Sequence, residues 1–172
     1  KNKQLTPADN ELQSAHFNNM LRALKEGGYE HYEISNFALK GKYSKHNSNY
    51  WRGISYVGIG PSAHSFDKTT RSWNIAQNTP YMKSIESNIL PSEIEVLGKR
   101  EQFNDLLLTG LRTVWGVSLK QLGDIQKLDS AFQQYVKQLL KKGQATLQED
   151  QLCLTPQGLL FADGIAQRLF ID

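Results

Sequence analysis

The apolar positions along this chain change period several times, and the changes mark its elements. Phe17, Met20, Leu21 and Leu24 recur at helical spacing. They predict a helix that starts at Thr6-Pro7, a capping hydroxyl followed by proline in the first turn, and stops at Gly27-Gly28. Tyr32 and Ile34 alternate with polar neighbours, which predicts a strand over 29–35. Residues 36–55 show no period and read as a long surface loop, the kind of segment that often carries function. Further strands are expected over 56–60 and 71–75, and Thr79-Pro80 opens a short helix carrying Tyr81, Met82 and Ile85. Helix, glycine, strand is an α/β order.

The composition shifts at Ile89-Leu90-Pro91, where a boundary is expected between domains 1–90 and 91–172. Beyond it, Phe103, Leu106, Leu107, Gly110, Leu111 and Val114 form a helical stripe. Gly116-Val117-Ser118 is expected to cap a short helix through Leu122. Phe132, Tyr135, Val136, Leu139 and Leu140 form another stripe, ended by Gly143. Two extended runs, 145–148 and 151–154, flank Glu149-Asp150 and predict a hairpin. Thr155-Pro156 caps a last helix carrying Leu159, Ala162, Ile165 and Leu169. Helix, helix, helix, hairpin, helix is the order of a winged helix.

Composition narrows the class. With 172 residues, 39% hydrophobic and 22% charged, the chain holds a packed core and is not disordered. A net charge of +3 neither demands nor excludes nucleic acid. The third helix of the winged-helix pattern offers Gln133, Gln134, Lys137, Gln138 and Lys141, where such modules read DNA. Asp129, Glu149 and Asp150 lie close by, so a solvated face is favoured and a nucleic-acid partner is disfavoured. The single cysteine, Cys153, excludes a disulfide framework and any all-cysteine metal site made by this chain alone. It fits a reducing, cytoplasmic compartment, and its place between Leu152 and Leu154 reads as a buried structural thiol. No apolar run approaches the ~20 residues that span a membrane, and no signal peptide is present. A start at Lys1, without an initiator Met, reads as a fragment of something longer.

The candidate chemistry is concentrated in 46–65. The segment reads His46-Asn47-Ser48-Asn49-Tyr50-Trp51, then Tyr56-Val57-Gly58-Ile59-Gly60-Pro61-Ser62-Ala63-His64-Ser65, with two of the four histidines. Imidazole ligates iron and titrates near neutral pH, so His46 is either a ligand or acid/base group, or a loop histidine bonded to nearby backbone. Tyr50 and Trp51 either stack on a flat ligand or anchor the loop. The glycine turn either offers backbone amides to an anionic or nucleoside-like ligand, or simply makes a tight strand exit; it lacks the P-loop and Rossmann patterns. His64 either faces the same pocket or caps a turn.

Taken in order, Tyr32-Glu33-Ile34-Ser35-Asn36-Phe37-Ala38, His46-Asn47-Ser48-Asn49-Tyr50-Trp51-Arg52-Gly53 and Tyr56 through Ser65 resemble the oxygen-independent coproporphyrinogen III oxidase-like proteins, radical S-adenosylmethionine (SAM) proteins of the HemN/HemW type. Arg71, Asn74, Leu111-Arg112-Thr113 and Gly116-Val117 continue the pattern. The resemblance implies that 1–90 is the C-terminal portion of a partial (β/α) radical-SAM barrel and 91–172 a small helical, winged-helix-like domain, giving an α/β plus α fold. It implies SAM beside Gly58, Ile59, Gly60, Ala63 and His64, where ligands sit at the ends of barrel strands. The His-Asn-x-x-Tyr-Trp motif is similar to that of the HemW branch, which handles haem. This implies haem or porphyrin at His46, Asn47, Tyr50, Trp51, Arg52 and Arg71, with His46 the possible iron ligand. Haem would then pass to an acceptor protein. The family's Cys-x3-Cys-x2-Cys motif for a [4Fe-4S] centre is absent here, so that cluster, and with it the radical chemistry, would belong to an N-terminal barrel half of the parent. No catalytic residue is assigned to this chain. Alternative readings are a genuine coproporphyrinogen III dehydrogenase, which turns propionates into vinyls, and a standalone winged-helix nucleic-acid-binding protein.

Overall fold

The computed structural model describes residues 9–123 and 129–171; the helix start expected at Thr6-Pro7 lies outside them. The chain divides into two compact units, 1–44 and 45–172.

In the first unit, helix α1 (Asn10–Glu26) is capped by Asp9, whose side chain accepts from the Leu12 N–H at 2.8 Å. It is followed by an antiparallel hairpin of β1 (Tyr29–Glu33) and β2 (Asn36–Leu39). His31 joins the layers. Its ring stacks on Phe37 at 4.4 Å and meets the edge of Phe17 at 6.0 Å. Glu33 is buried, and its carboxylate accepts from the backbone N–H and hydroxyl of Ser35. That is how a charge is tolerated inside: it turns the chain at Ile34-Ser35 by binding the turn's own donors.

The second unit begins with α2 (Lys45–Trp51). A three-stranded antiparallel sheet, in the order β3-β4-β5, comprises β3 (His64–Phe66), β4 (Thr70–Asn74) and β5 (Ser92–Val96), with α3 (Asn78–Glu86) between the last two. Then come α4 (Lys99–Gly110), β6 (Val117–Ser118), α5 (Ser130–Lys141), the hairpin of β7 (Ala145–Gln148) and β8 (Gln151–Leu154), α6 (Pro156–Leu159) and α7 (Ala162–Leu169). The last sheet runs β6-β8-β7. Phe103, Leu107 and Leu111 from the first predicted stripe and Phe132, Val136 and Leu139 from the second are buried together with Leu152, Ile165 and Leu169, so the helical periodicity does report the core.

Several expectations are corrected. Residues 36–55 are not one loop: they contain β2 and α2, each too short to show a period of its own. Residues 56–60 form no strand. Tyr56 alone bridges Phe66, because the glycine turn begins two residues later, and the strand lies at 64–66 instead. Strand β5 was not foreseen, although Glu93-Ile94-Glu95-Val96 alternates. Its pairing of Ile94 with Ser72 and Val96 with Thr70 carries the sheet across the boundary expected at 89–91. Residues 117–118 extend along β8 rather than capping a helix, and 119–122 follow as turns that bury Leu119 and Leu122. The last helix breaks at Leu160-Phe161 into α6 and α7. Every strand pairing among the described residues is antiparallel, so the parallel ladder of a β/α barrel is not formed within them.

Candidate functional site

Seven residues of α2 carry four of the expected site residues. Asn47 and Trp51 lie one turn apart and are tied together: the indole Nε1 donates to Asn47 Oδ1 at 3.0 Å. Ser48 is buried at 6% exposure. His46, two positions earlier, therefore lies on the opposite side of the helix and is exposed. Its ring makes no hydrogen bond, ion pair or ring contact among the described residues. Tyr50, 45% exposed, meets Trp51 edge-on at 5.0 Å and continues into Tyr56 at 5.7 Å and Phe66 at 6.0 Å. Burial raises the Tyr56 hydroxyl above its ordinary pKa; the Tyr50 hydroxyl and the Asp105 carboxylate add to this and Arg71 opposes it.

The C-terminal end of α2 is gripped by the loop after α4. The Arg112 guanidinium carbon lies 5.0 Å from the centroid of the Trp51 ring, and the Arg52 guanidinium carbon lies 4.0 Å from that of Trp115. Each partner thus supplies one cation and one indole. Arg112 also donates from Nη1 to Asp163 at 2.6 Å. This loop has a fixed shape. Gly116 sits at φ +65°, and a Cβ there would collide with the Leu152 carbonyl and the Cys153 sulfur. Gln151 donates to the Trp115 carbonyl at 2.8 Å, and the Cys153 thiol points to the Val114 carbonyl at 3.6 Å. Burial raises the Cys153 pKa, which leaves it a protonated structural thiol.

Arg71 lies on β4 and is already matched. It donates to Asp105 and lies 3.7 Å from Glu95. Burial raises the Asp105 pKa and the neighbouring Arg71 charge opposes that rise. A cleft of about 380 Å³ is lined by Arg71, Glu95, Arg100 and Asp105, so its wall carries both signs of charge.

The glycine turn uses its amides internally. Gly58 donates to Ser65 Oγ at 2.9 Å, Gly60 to the Tyr81 hydroxyl at 3.3 Å, Ser62 to the Ile75 carbonyl and Ala63 to the Gly60 carbonyl. Asn74 donates to the Gly60 carbonyl at 2.8 Å. A Cβ on Gly58 would run into the His64 backbone, so glycine there allows the two arms of the turn to touch. What the turn presents outward is apolar: Val57 is 82% and Ile59 90% exposed. His64 is exposed too, its ring 6.2 Å from that of Trp73.

The structure thus brings His46, Asn47, Tyr50, Trp51 and Arg52 together. It leaves Arg71 paired with Asp105 and Glu95, and gathers Gly58, Ile59, Gly60, Ala63 and His64 in a separate turn. Sequence reasoning gave no role to Arg112, Trp115 or Asp163. Arg112 stands in the Leu111-Arg112-Thr113 part of the family pattern, whereas no local pattern marks Trp115 or Asp163. The donor set fits one axial imidazole for haem iron. It does not fit an iron-sulfur cluster, because Cys153 is the one cysteine and no cluster of three or more His, Cys, Asp or Glu side chains occurs among the described residues. No helix among those residues is long and apolar enough to cross a membrane.

Comparisons with known proteins agree on one family. The HemN C-terminal domain matches residues 97–161. Heme chaperone HemW of Bacillus subtilis is 32% identical over 149 residues, 85% of this chain and 39% of that protein. Heme chaperone HemW of Mycobacterium tuberculosis H37Rv is 28% identical over 167 residues, 96% of this chain and 41% of that protein. The chain therefore spans about two fifths of the length of the curated relatives it matches. The solved structure of the radical SAM enzyme coproporphyrinogen III oxidase (HemN) from Escherichia coli matches with a TM-score of 0.64 and 15% identity, over 95% of this chain and 42% of that one, a likeness of mixed α/β fold. Three ordered motifs, the matched C-terminal domain and these relatives converge: the chain belongs to the HemN/HemW-type family of radical SAM proteins.

Proposed function

We propose that this chain is the C-terminal region of a HemW-type haem chaperone, and that it binds haem through His46 and hands it to an acceptor protein. One observation carries the reading: His46 projects, without a partner among the described residues, from a helix whose next residues are tied down. An exposed imidazole on a rigid base suits axial ligation of an incoming haem iron. Tyr50 packs along the macrocycle, and Arg52, exposed at the same helix end, pairs with a propionate. Trp51, held by Asn47 and Arg112, serves as anchor more than as stacking surface. Arg71, already matched by Asp105 and Glu95, is the weakest member of the expected haem set. The haem-chaperone relatives favour this over oxidative decarboxylation of coproporphyrinogen III.

In the parent, SAM and the [4Fe-4S] cluster would belong with the rest of the barrel, because this chain has a single cysteine; the exposed Val57 and Ile59 would be covered there. The turn from Gly58 to His64 would then face SAM with its apolar side. The barrel portion would run from residue 1 through β5, past the expected boundary at 90, and the winged-helix-like domain would follow from there. The strand order β6-β8-β7 beside α4 and α5, and the family match over 97–161, support the latter. Bound haem supplies an iron with an open axial position; everything else is orientation by this chain. A haem titration followed at the Soret band, in the chain and in His46→Ala, tests the reading. A saturable shift lost in the variant is expected. An unchanged shift and affinity in His46→Ala would overturn it.

A further inference from the structure

We propose that Arg112 is a positioning residue for haem capture: through Trp51 it sets the orientation of α2 and so of His46. This rests on the haem reading of His46 and deepens it.

The argument starts from the length of α2. A helix of seven residues is too short to hold itself together in water, so its geometry is imposed by its surroundings. The surroundings make it pay a polar penalty, because the Ser48 hydroxyl is buried without a hydrogen-bond partner among the described residues. The compensating grip lies at the other end of the helix. Arg112, with 22% of its side chain exposed, is held at one end by Asp163 and presents its guanidinium face to Trp51. Trp51 passes the constraint on, since its Nε1 is bonded to Asn47, the residue after His46. Arg52 over Trp115 closes the same clasp from the opposite side. Arg112 is engaged by Asp163 and by the Trp51 ring, so its effect on His46 is exerted through the helix. Its loss loosens α2, and a loosened α2 holds iron with a less defined imidazole angle.

Hydrogen exchange and haem binding, measured on the intact chain with Arg112→Gln, Arg112→Lys and His46→Ala, test this. In Arg112→Gln, amide exchange is expected to quicken in α2 but not in α4 or α5. The haem Kd should rise about fivefold, the size of one lost cation–π contact, and the ferric haem spectrum should broaden or shift. Arg112→Lys, which keeps a cation for both Trp51 and Asp163, should recover most of the affinity and the native spectrum. Unchanged α2 exchange in Arg112→Gln, or exchange that quickens equally in α4 and α5, overturns the positioning role. So does unchanged haem affinity in Arg112→Gln when His46→Ala abolishes binding. If His46→Ala leaves haem binding intact, it is the haem reading that fails, while the exchange result still decides whether Arg112 orders α2.

Discussion

Arg52 and Trp115, 63 positions apart in sequence, meet with the guanidinium carbon 4.0 Å from the ring centroid, and Trp51 and Arg112 repeat the contact with the roles exchanged. The exchange has a physical use. Each cation lies over the indole supplied by the other segment, so each ring serves as the counter-surface of the other side's charge. The result joins α2 to the loop between α4 and β6 without burying a bare charge.

Trp115→Leu is accordingly expected to lower stability by about 1 kcal/mol through the lost cation–π contact. A double-mutant cycle with Arg52→Gln should return a coupling of roughly 0.5–1 kcal/mol. Urea unfolding of the four proteins measures it. A coupling near zero would mean that the two side chains are merely adjacent.

The helices of 91–172 were legible because their stripes are long: Phe103, Leu107 and Leu111, and Phe132, Val136 and Leu139, repeat often enough for the period to stand out. Local chemistry was legible too. Thr155 accepts from the Gly158 N–H at 3.2 Å as a cap, with Pro156 in the first turn, and Glu149 takes a positive φ in the hairpin. What was hidden is short or remote. Helix α2 spans less than two full periods, and β5 runs Glu-Ile-Glu-Val with its apolar side chains Ile94 and Val96 exposed, so neither buries a face that would mark it. The motif residues of the site were visible as types and spacing, but their partners Arg112, Trp115 and Asp163 arrive by tertiary contact, which no local period encodes.

Gly116→Ala should be among the most damaging substitutions in the C-terminal region. It adds a left-handed strain for a non-glycine residue, and its Cβ meets the Leu152 carbonyl on a paired strand, which cannot move aside without breaking the β6-β8 pairing. A loss of at least ~2 kcal/mol is expected. Thermal unfolding followed by circular dichroism checks it; a Tm within a degree or two of the unsubstituted protein would contradict the close approach.

Acid should expose the turn between β3 and β4. Asp67 is held down to about 2, chiefly by the Thr70 backbone N–H, with the Thr69 N–H and both threonine hydroxyls adding to it. A carboxylate depressed in the folded state stabilises above its unfolded pKa of 3.8, and that contribution disappears as pH falls from there through about 2. Asp67→Asn should therefore be less stable at neutral pH and lose less on acidification, so the urea midpoints of the two proteins converge in acid. Parallel midpoints over that window would show that the turn does not need the charge.

Asp105 should behave with the opposite sign. Burial is the largest influence on it and raises its pKa above 3.8, while Arg71 pulls it back. A group that holds its proton more tightly when folded contributes stability below its unfolded pKa and loses it as pH rises through the folded one. Arg71 limits that loss by pairing with the carboxylate that forms. Arg71→Leu removes the restraint and leaves the half-buried Asp105 facing Glu95 and Glu101. The variant should be less stable at neutral pH by about 1 kcal/mol, a value set by the pair's partial exposure and consequent screening. The deficit should shrink as the pH is lowered toward about 4, because a protonated Asp105 no longer needs a cation. Adding Asp105→Asn should remove most of that pH dependence. Urea midpoints across this pH range decide it: a deficit independent of pH would mean that Arg71 acts through the packing of its side chain and not through its charge.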